Sequence, residues 1–269
     1  VSAAADAPLR DAAWLWREIR QEAVLLSRSE PVLASFFHIS LLNHAALASA
    51  LAFLLASKIG DRDVQPMLVR QVCDEAYNAD PNLVEAAAAD SLAHYDRDPA
   101  CSTYSMPLLY FKGFQAIQAY RVAHWLWRRQ RHALALFLQN RISTVFDVDI
   151  HPGAQLGSGL MVDHATGLVI GETAVVGRDV SMLHGVTLGG CGTGKGPRHP
   201  QVGDGVLISA GAKLLGPVQI GDGAKVAAGS VVLTDVPSRT TVAGVPARPM
   251  GQPRGVQPAL DMDQNLNGD

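Results

Sequence analysis

From residue 150 the chain advances in steps of six, each opened by an aliphatic side chain and usually followed by a small or turn-forming one. The openers run Ile150, Leu156 and Val162. A two-residue slip precedes Ile170, Val176, Met182 and Leu188, and after a loop the beat resumes at Val202, Ile208, Leu214, Ile220, Val226 and Val232. Few folds are open to such a chain. A fixed short period means stacked units that each bury one stripe against their neighbours, and a six-residue period belongs to a parallel β-helix whose turns are triangular, one hexad to a side. Gly and Asp recur between the openers, as tight corners require.

The first half has another grammar. Trp14, Ile19 and the Val24–Leu26 cluster predict an amphipathic helix. Pro31 opens a long Ala/Leu segment that Gly60 and Asp61 close, Asp80-Pro81 starts a further helix, and Leu108 to Arg131 and Ala133 to Phe146 follow. Helix formers give way to Gly, Val, Ile and Asp between Val145 and Asp149. The expected organisation is an all-α helical domain over 1–146, a parallel β-helix over 147–250 and a mobile tail over 251–269, rich in Pro, Gln, Asn and Asp.

Charge is nearly balanced, 22 Lys plus Arg against 25 Asp plus Glu, so nothing points to nucleic acid or an anionic membrane as partner. Pro31 to Ser57 carries no charged side chain and is long enough to span a bilayer. Ser35, His38, Ser40, Asn43, His44 and Ser49 interrupt it, and the Ala-rich remainder suits a helix buried against other helices. Cys73, Cys101 and Cys191 are odd in number and form no CxxC, which fits a reducing, cytoplasmic setting. Charges from Asp6 and Arg10 to Arg28 and Glu30 argue against a signal peptide.

Five of the nine histidines, at 38, 44, 94, 124 and 132, fall in helical sequence, where packing or solvation accounts for them. His164 and His184 each hold the third position of a hexad and should stack one coil apart. Stacked histidines suit a metal site, a general base beside a polar group, or an inert surface ladder. A metal would need a third ligand, which neither His151, at another corner, nor His199, on the inserted loop, obviously supplies; no metal is expected. A base is better served, because a carboxylate behind a neutral imidazole fixes its tautomer and stabilises the imidazolium. Asp149, close to one coil earlier, is a candidate for that carboxylate, and Asp163 for binding an amine. The loop from Gly189 to Gly196 superficially resembles a phosphate loop, but Gly196 stands where Ser or Thr should follow the Lys. It reads instead as a flap carrying Arg198 and His199 to a site, where Arg198 could grip a carboxylate in bidentate fashion or remain solvated.

The hexapeptide repeat and Gly244-Val245-Pro246-Ala247-Arg248 resemble a broad superfamily of acyltransferases built on a left-handed parallel β-helix. More specifically, Asp149-Ile150-His151-Pro152, Asp163-His164-Ala165-Thr166-Gly167, Gly171-Glu172-Thr173 and Arg198-His199-Pro200, behind a helical domain with Arg97-Asp98-Pro99-Ala100, resemble bacterial serine O-acetyltransferases from about Trp14 to Gly268. The resemblance implies transfer of acetyl from acetyl-CoA to L-serine, giving O-acetylserine without an acyl-enzyme. His164 would take the hydroxyl proton and Asp149 would partner it. Asp98 and Asp163 would bind the ammonium, and Arg198 and His199 the carboxylate. CoA would lie near Gly190, Ala210, Gly211, Lys225 and Ala228, with Arg248 toward its phosphates. The family further implies trimers whose sites lie between subunits, pairing of trimers into hexamers through the helical domains, and feedback inhibition by cysteine. It also implies docking of the tail into O-acetylserine sulfhydrylase, a contact that uses a C-terminal Ile where this chain has Asp269. A second departure is His184, at a position where the resemblance implies an uncharged polar residue. The competing assignments are a sugar or antibiotic O-acetyltransferase of the same superfamily, a metal hydratase similar to γ-type carbonic anhydrases, and a non-catalytic scaffold.

Overall fold

The computed structural model describes residues 10–192, 196–255 and 257–265. Its helical part comprises α1 (Ala12–Ser29), α2 (Ala34–Phe37), α3 (Leu47–Ile59), α4 (Pro66–Ala79), α5 (Asn82–Arg97), α6 (Met106–Tyr110), α7 (Lys112–Arg128) and α8 (His132–Phe146). Asp11 caps α1 by accepting the Trp14 N–H at 2.8 Å, which satisfies one of the donors a helix start leaves free.

Two of the long helices read from the sequence are broken. The Pro31–Gly60 segment passes through a 3₁₀ turn, α2 and a π-helical stretch (His38–Leu42) before α3 starts. The Arg20 guanidinium stabilises that break by donating to the Leu42 and His44 carbonyls, groups a continuous helix would have paired internally. The second break is at Phe111, whose extended ψ of 102° separates α6 from α7, and Gln115 donates to the released Leu108 carbonyl at 2.7 Å. Among the described residues no helix is long and apolar enough to cross a membrane.

The second part is a three-sided parallel β-helix. One sheet stacks β1 (Val148–Ile150), β4 (Leu168–Ile170), β7 (Thr187–Gly189), β10 (Lys213–Leu215) and β13 (Val231–Val232). A second stacks β2 (Gln155–Leu156), β5 (Val175–Val176), β8 (Gln201–Val202) and β11 (Gln219–Ile220). The third stacks β3 (Met161–Val162), β6 (Ser181–Met182), β9 (Leu207–Ile208), β12 (Lys225–Val226) and β14 (Thr241–Gly244), to which β15 (Ala247–Gly251) adds antiparallel. We call these the first, second and third sides.

Register bears out the hexad count: Ile150, Ile170, Leu188, Leu214 and Val232 lie in one stack, and Val162, Met182, Ile208 and Val226 in another. Every opener is buried except Leu156, which is half-buried. A second inward series two residues before the openers, including Ala154, Ala174, Val186, Ala212 and Ala224, completes the core. Beyond Val232 the six-residue count fails, because Val236 bridges to Ile220 and Val242 joins the third-side stack.

Asp90 of α5, 1% exposed, ties the two parts together. It accepts from Gln118 and Arg121 of α7 and from the Leu160 N–H of the β-helix. Gly113 allows the close approach of α7 to β3, since a Cβ there would fall 2.1 Å from the Val162 carbonyl oxygen. Part of the segment expected as a mobile tail has described structure: α9 (Pro258–Asp261) lies on the β-helix with Ala259 fully buried and its carbonyl bound by the Ser181 hydroxyl at 2.8 Å. Residue 256 and residues 266–269 lie outside the described residues.

Candidate active site

The two-residue slip between Val162 and Ile170 is a widened corner between the third and first sides. His164 and Ala165 both adopt left-handed backbone there, φ 57° and 59°, a conformation that costs a non-glycine residue free energy and is characteristic of functional sites. The turn is closed by Ala165 N–H to Asp163 O and Thr166 N–H to His164 O. The His164 side chain, at an outward hexad position, is 72% exposed, with Nε2 3.5 Å from Asp163 Oδ2.

Directly above, the stack continues as His184, Ala210 and Ala228, because Val162, Met182, Ile208 and Val226 are in register two residues earlier. The His164 and His184 rings meet edge to face at 5.8 Å, as the hexad count requires. The side chains along this corner shrink from two imidazoles to two methyl groups, and the column Gly167, Gly185, Gly211 and Gly229 beside them keeps the backbone bare.

The helical part closes the lower end. Asp98 follows α5, its carboxylate accepting the Ala100 N–H at 2.8 Å and its own N–H bound to the His94 carbonyl. Asp98, Asp163, His164, Lys112 and Thr166 line one cavity of about 410 Å³. Lys112 Nζ donates to Thr166 Oγ1 at 2.6 Å, pinning α7 to the corner. His94, assigned from sequence to packing, lines the same cavity. Burial, reinforced by the nearby Arg97 guanidinium, pushes its pKa down to about 3.

Arg198 and His199 lie elsewhere, at the corner between the first and second sides. The Arg198 N–H donates to Thr173 Oγ1 at 3.0 Å, and the Thr173 hydroxyl meets His199 Nδ1 at 2.8 Å. The Thr173 N–H also donates to that nitrogen. These bonds assign Nδ1 as acceptor and leave the proton on Nε2. Burial, then the Arg198 charge, holds the His199 pKa below its ordinary value. A Cβ on Gly171 would fall 1.9 Å from His199 Nε2 and one on Gly190 2.9 Å from it, so both glycines make room for the ring. Arg198 pairs with Glu172 at 2.7 Å, a hydrogen bond that holds the Glu172 carboxyl below its usual range. Glu172 and Thr173, quoted from the sequence only as motif, are thus the residues that hold the Arg-His pair. Thr193, Gly194 and Lys195 of the expected flap lie outside the described residues.

Within one chain, therefore, the expected site residues fall into two groups at opposite edges of the first side. Asp149 lies on β1 between them. It accepts from Gln139 at 2.7 Å and makes no hydrogen bond to His164 among the described residues. Ala210 and Gly211 belong with the His164 corner, whereas Gly190 belongs with His199. Lys225 is 2% exposed on the third side, where Nζ donates to the Asn265 carbonyl at 2.7 Å. Arg248 lies exposed on β15. Among the described residues no group of three His, Cys, Asp or Glu is placed to hold a metal ion.

Residues 15–119 match the family model for the serine acetyltransferase N-terminal region, and residues 199–234 match the bacterial transferase hexapeptide model. The chain is 54% identical to the serine acetyltransferase of Escherichia coli (strain K12) over 94% of its own length and 93% of the relative's. The crystal structure of serine acetyltransferase from Vibrio cholerae superposes with a TM-score of 0.94 at 54% identity, covering 96% of this chain and 100% of that one. A serine acetyltransferase in complex with CoA superposes with a TM-score of 0.86 at 52% identity, covering 88% and 99%. Further serine acetyltransferase structures that match are complexes with cysteine and with serine. With a β-helix carrying His164 and Asp163 beside an Asp98 supplied by the helical part, and with this degree of likeness along nearly its whole length, the chain belongs to the serine acetyltransferase family.

Proposed function

We infer that His164 is the general base of a serine O-acetyltransferase and that its site is completed by a second copy of the chain. The observation that carries this is the shared cavity of His164, Asp163 and Asp98 at the foot of the His184–Ala210–Ala228 stack. Serine is a zwitterion with a hydroxyl. Asp98 and Asp163 hold its ammonium, which sets the hydroxyl next to His164. The imidazole takes the hydroxyl proton as the oxygen attacks the thioester carbonyl. The C–S bond then breaks, the imidazolium returns the proton to the departing thiolate, and O-acetylserine and CoA leave. Asp149, on the outer face of the first side, steadies the imidazolium in the assembled site. A positioned base supplies roughly 10²- to 10⁴-fold of rate, and holding both substrates together supplies more.

The substrate carboxylate requires a cation; Lys112, which lines the His164 cavity, is engaged by Thr166 Oγ1, so a guanidinium able to grip the carboxylate in bidentate fashion comes from another corner. Arg198 and His199 provide it when the corner between first and second sides of one subunit meets the His164 corner of the next, as a closed trimer brings about. Acetyl-CoA lies between them, near Gly190 on one wall and Ala210, Gly211, Lys225 and Ala228 on the other, with Arg248 toward its phosphates. Leu25, Val32, Phe36 and Ile39, exposed near the end of α1 and on the turns after it, supply an apolar surface for pairing trimers through the helical parts. Cysteine shares the ammonium and carboxylate of serine and carries a thiol in place of the hydroxyl, so it competes for this site. The family resemblance implies docking of the tail into O-acetylserine sulfhydrylase, with Asp269 in place of the family's terminal Ile, and the cysteine pattern fits a cytoplasmic location.

The test is release of CoA thiol from acetyl-CoA with L-serine, homoserine, a galactoside or no acceptor. Turnover with L-serine above the others is expected. Turnover with another acceptor and none with serine would sink the assignment.

A further inference from the structure

His94 sits one helical turn before Asp98 and lines the same cavity as Asp98, Asp163 and His164. Its side chain is 2% exposed, edge-on to Phe111 and Phe114 with ring centroids 5.5 and 6.3 Å away. Its Nε2 has no hydrogen-bond partner among the described residues. A buried nitrogen without a partner is costly and calls for an explanation. Of the other unpartnered buried groups, Ser91 Oγ, Trp125 Nε1 and Ser209 Oγ, none belongs to a residue lining this cavity.

An ammonium group carries three N–H donors in a tripod. Asp98 and Asp163 provide carboxylates for two of them, and a third carboxylate would leave the pocket with excess negative charge. A neutral imidazole suits the third place, because it can accept without adding charge. We propose that His94 Nε2 accepts the third N–H of the substrate's α-ammonium, making His94 a residue that selects amino-acid acceptors over plain alcohols. The inference rests on serine being the acceptor and assigns a residue that lies outside every motif of the site. The half-buried Phe111 ring must yield for the ammonium to reach Nε2, a side-chain adjustment common on binding. Burial beside Arg97 keeps the ring neutral near pH 7.

The experiment compares the full-length wild type with His94→Leu, His94→Phe and His94→Gln. The two apolar variants keep the packing and remove the acceptor, and His94→Phe continues the aromatic cluster should His94→Leu fail to fold. For the folded apolar variant we expect the KM for L-serine to rise about tenfold or more, the scale of a hydrogen bond to a charged group, with the KM for acetyl-CoA unchanged. Inhibition by 3-hydroxypropionate, which has the hydroxyl and carboxylate but no ammonium, should stay as in the wild type. His94→Gln, whose amide oxygen can accept, should recover part of the loss. A serine KM within about twofold of wild type, or equal weakening of L-serine and 3-hydroxypropionate, overturns the proposal. Wild-type protein that turns over no serine would overturn the acetyltransferase assignment along with it.

Discussion

His164 Nε2 and Asp163 Oδ2 face each other across 3.5 Å, at a corner where the backbone of His164 is left-handed. The ammonium and hydroxyl of serine sit on adjacent carbons. In the proposed site an ammonium held by Asp163 therefore brings the hydroxyl within reach of the imidazole. His164→Ala should lower kcat by at least ~10²-fold with folding and assembly intact. Near-normal turnover would remove His164 from the role of base.

Ammonium binding by Asp98 and Asp163, as proposed, acts before and during the reaction, so their loss should appear first in substrate affinity. Asp98→Asn and Asp163→Asn should each raise the KM for L-serine by about 10- to 100-fold, the scale of a charge-assisted hydrogen bond. The KM for acetyl-CoA should change little. Equal effects on both substrates would mean that these carboxylates shape the corner and do not bind the amine.

The path of the β-helix was legible because each hexad opener faces inward, and the same count put His164 under His184. Even the two-residue slip proved informative, since it marks the widened corner at which His164 and Ala165 take left-handed backbone. Other features depend on contacts made by distant segments, which a local pattern does not carry. Nothing near Asn43 announces that Arg20 will hold the Leu42 and His44 carbonyls and break a helix. Nor does α5, taken alone, separate His94 from the other helical histidines; its spacing of four from Asp98 was the one available signal. The loop sequence reads as a flap bringing Arg198 to a site, but Arg198 and His164 lie at different corners of the prism.

Asp90 is 1% exposed and receives both Nε and Nη2 of Arg121, at 3.1 and 2.6 Å. Removing one member of a buried pair strands the other charge. Asp90→Ala should destabilise the protein by about 3–5 kcal/mol, read as a lowered denaturation midpoint. A change below about 1 kcal/mol, the range of exposed ion pairs, would mean that Arg121 finds an equivalent partner.

The buried histidines set the direction of the acid response. His94 is held at about 3 against an ordinary value of 6.5, chiefly by burial and then by Arg97. The unfolded chain therefore binds the proton more tightly, and stability falls as pH drops from about 6.5 toward 3. His44, His124, His151 and His199, also lowered chiefly by burial, act in the same direction. Urea denaturation at pH 7 and pH 4.5 should show a loss of stability in the wild type and a smaller loss in His94→Leu. Identical slopes would mean that His94 protonates freely in the folded protein.

The separation of His164 from Arg198 within one chain makes a prediction about mixtures. His164→Ala subunits retain a sound Arg198–His199 corner, and Arg198→Ala subunits retain a sound His164 corner. In a closed ring of three, every trimer containing both variants has one interface at which two sound corners meet. Random reassembly of equal amounts makes three-quarters of trimers mixed, so about a quarter of wild-type activity should return. Each variant alone should stay near its own residual rate. If both corners serve one site within a single subunit, no mixture can restore an intact pair, and activity will remain at the average of the two inactive parents.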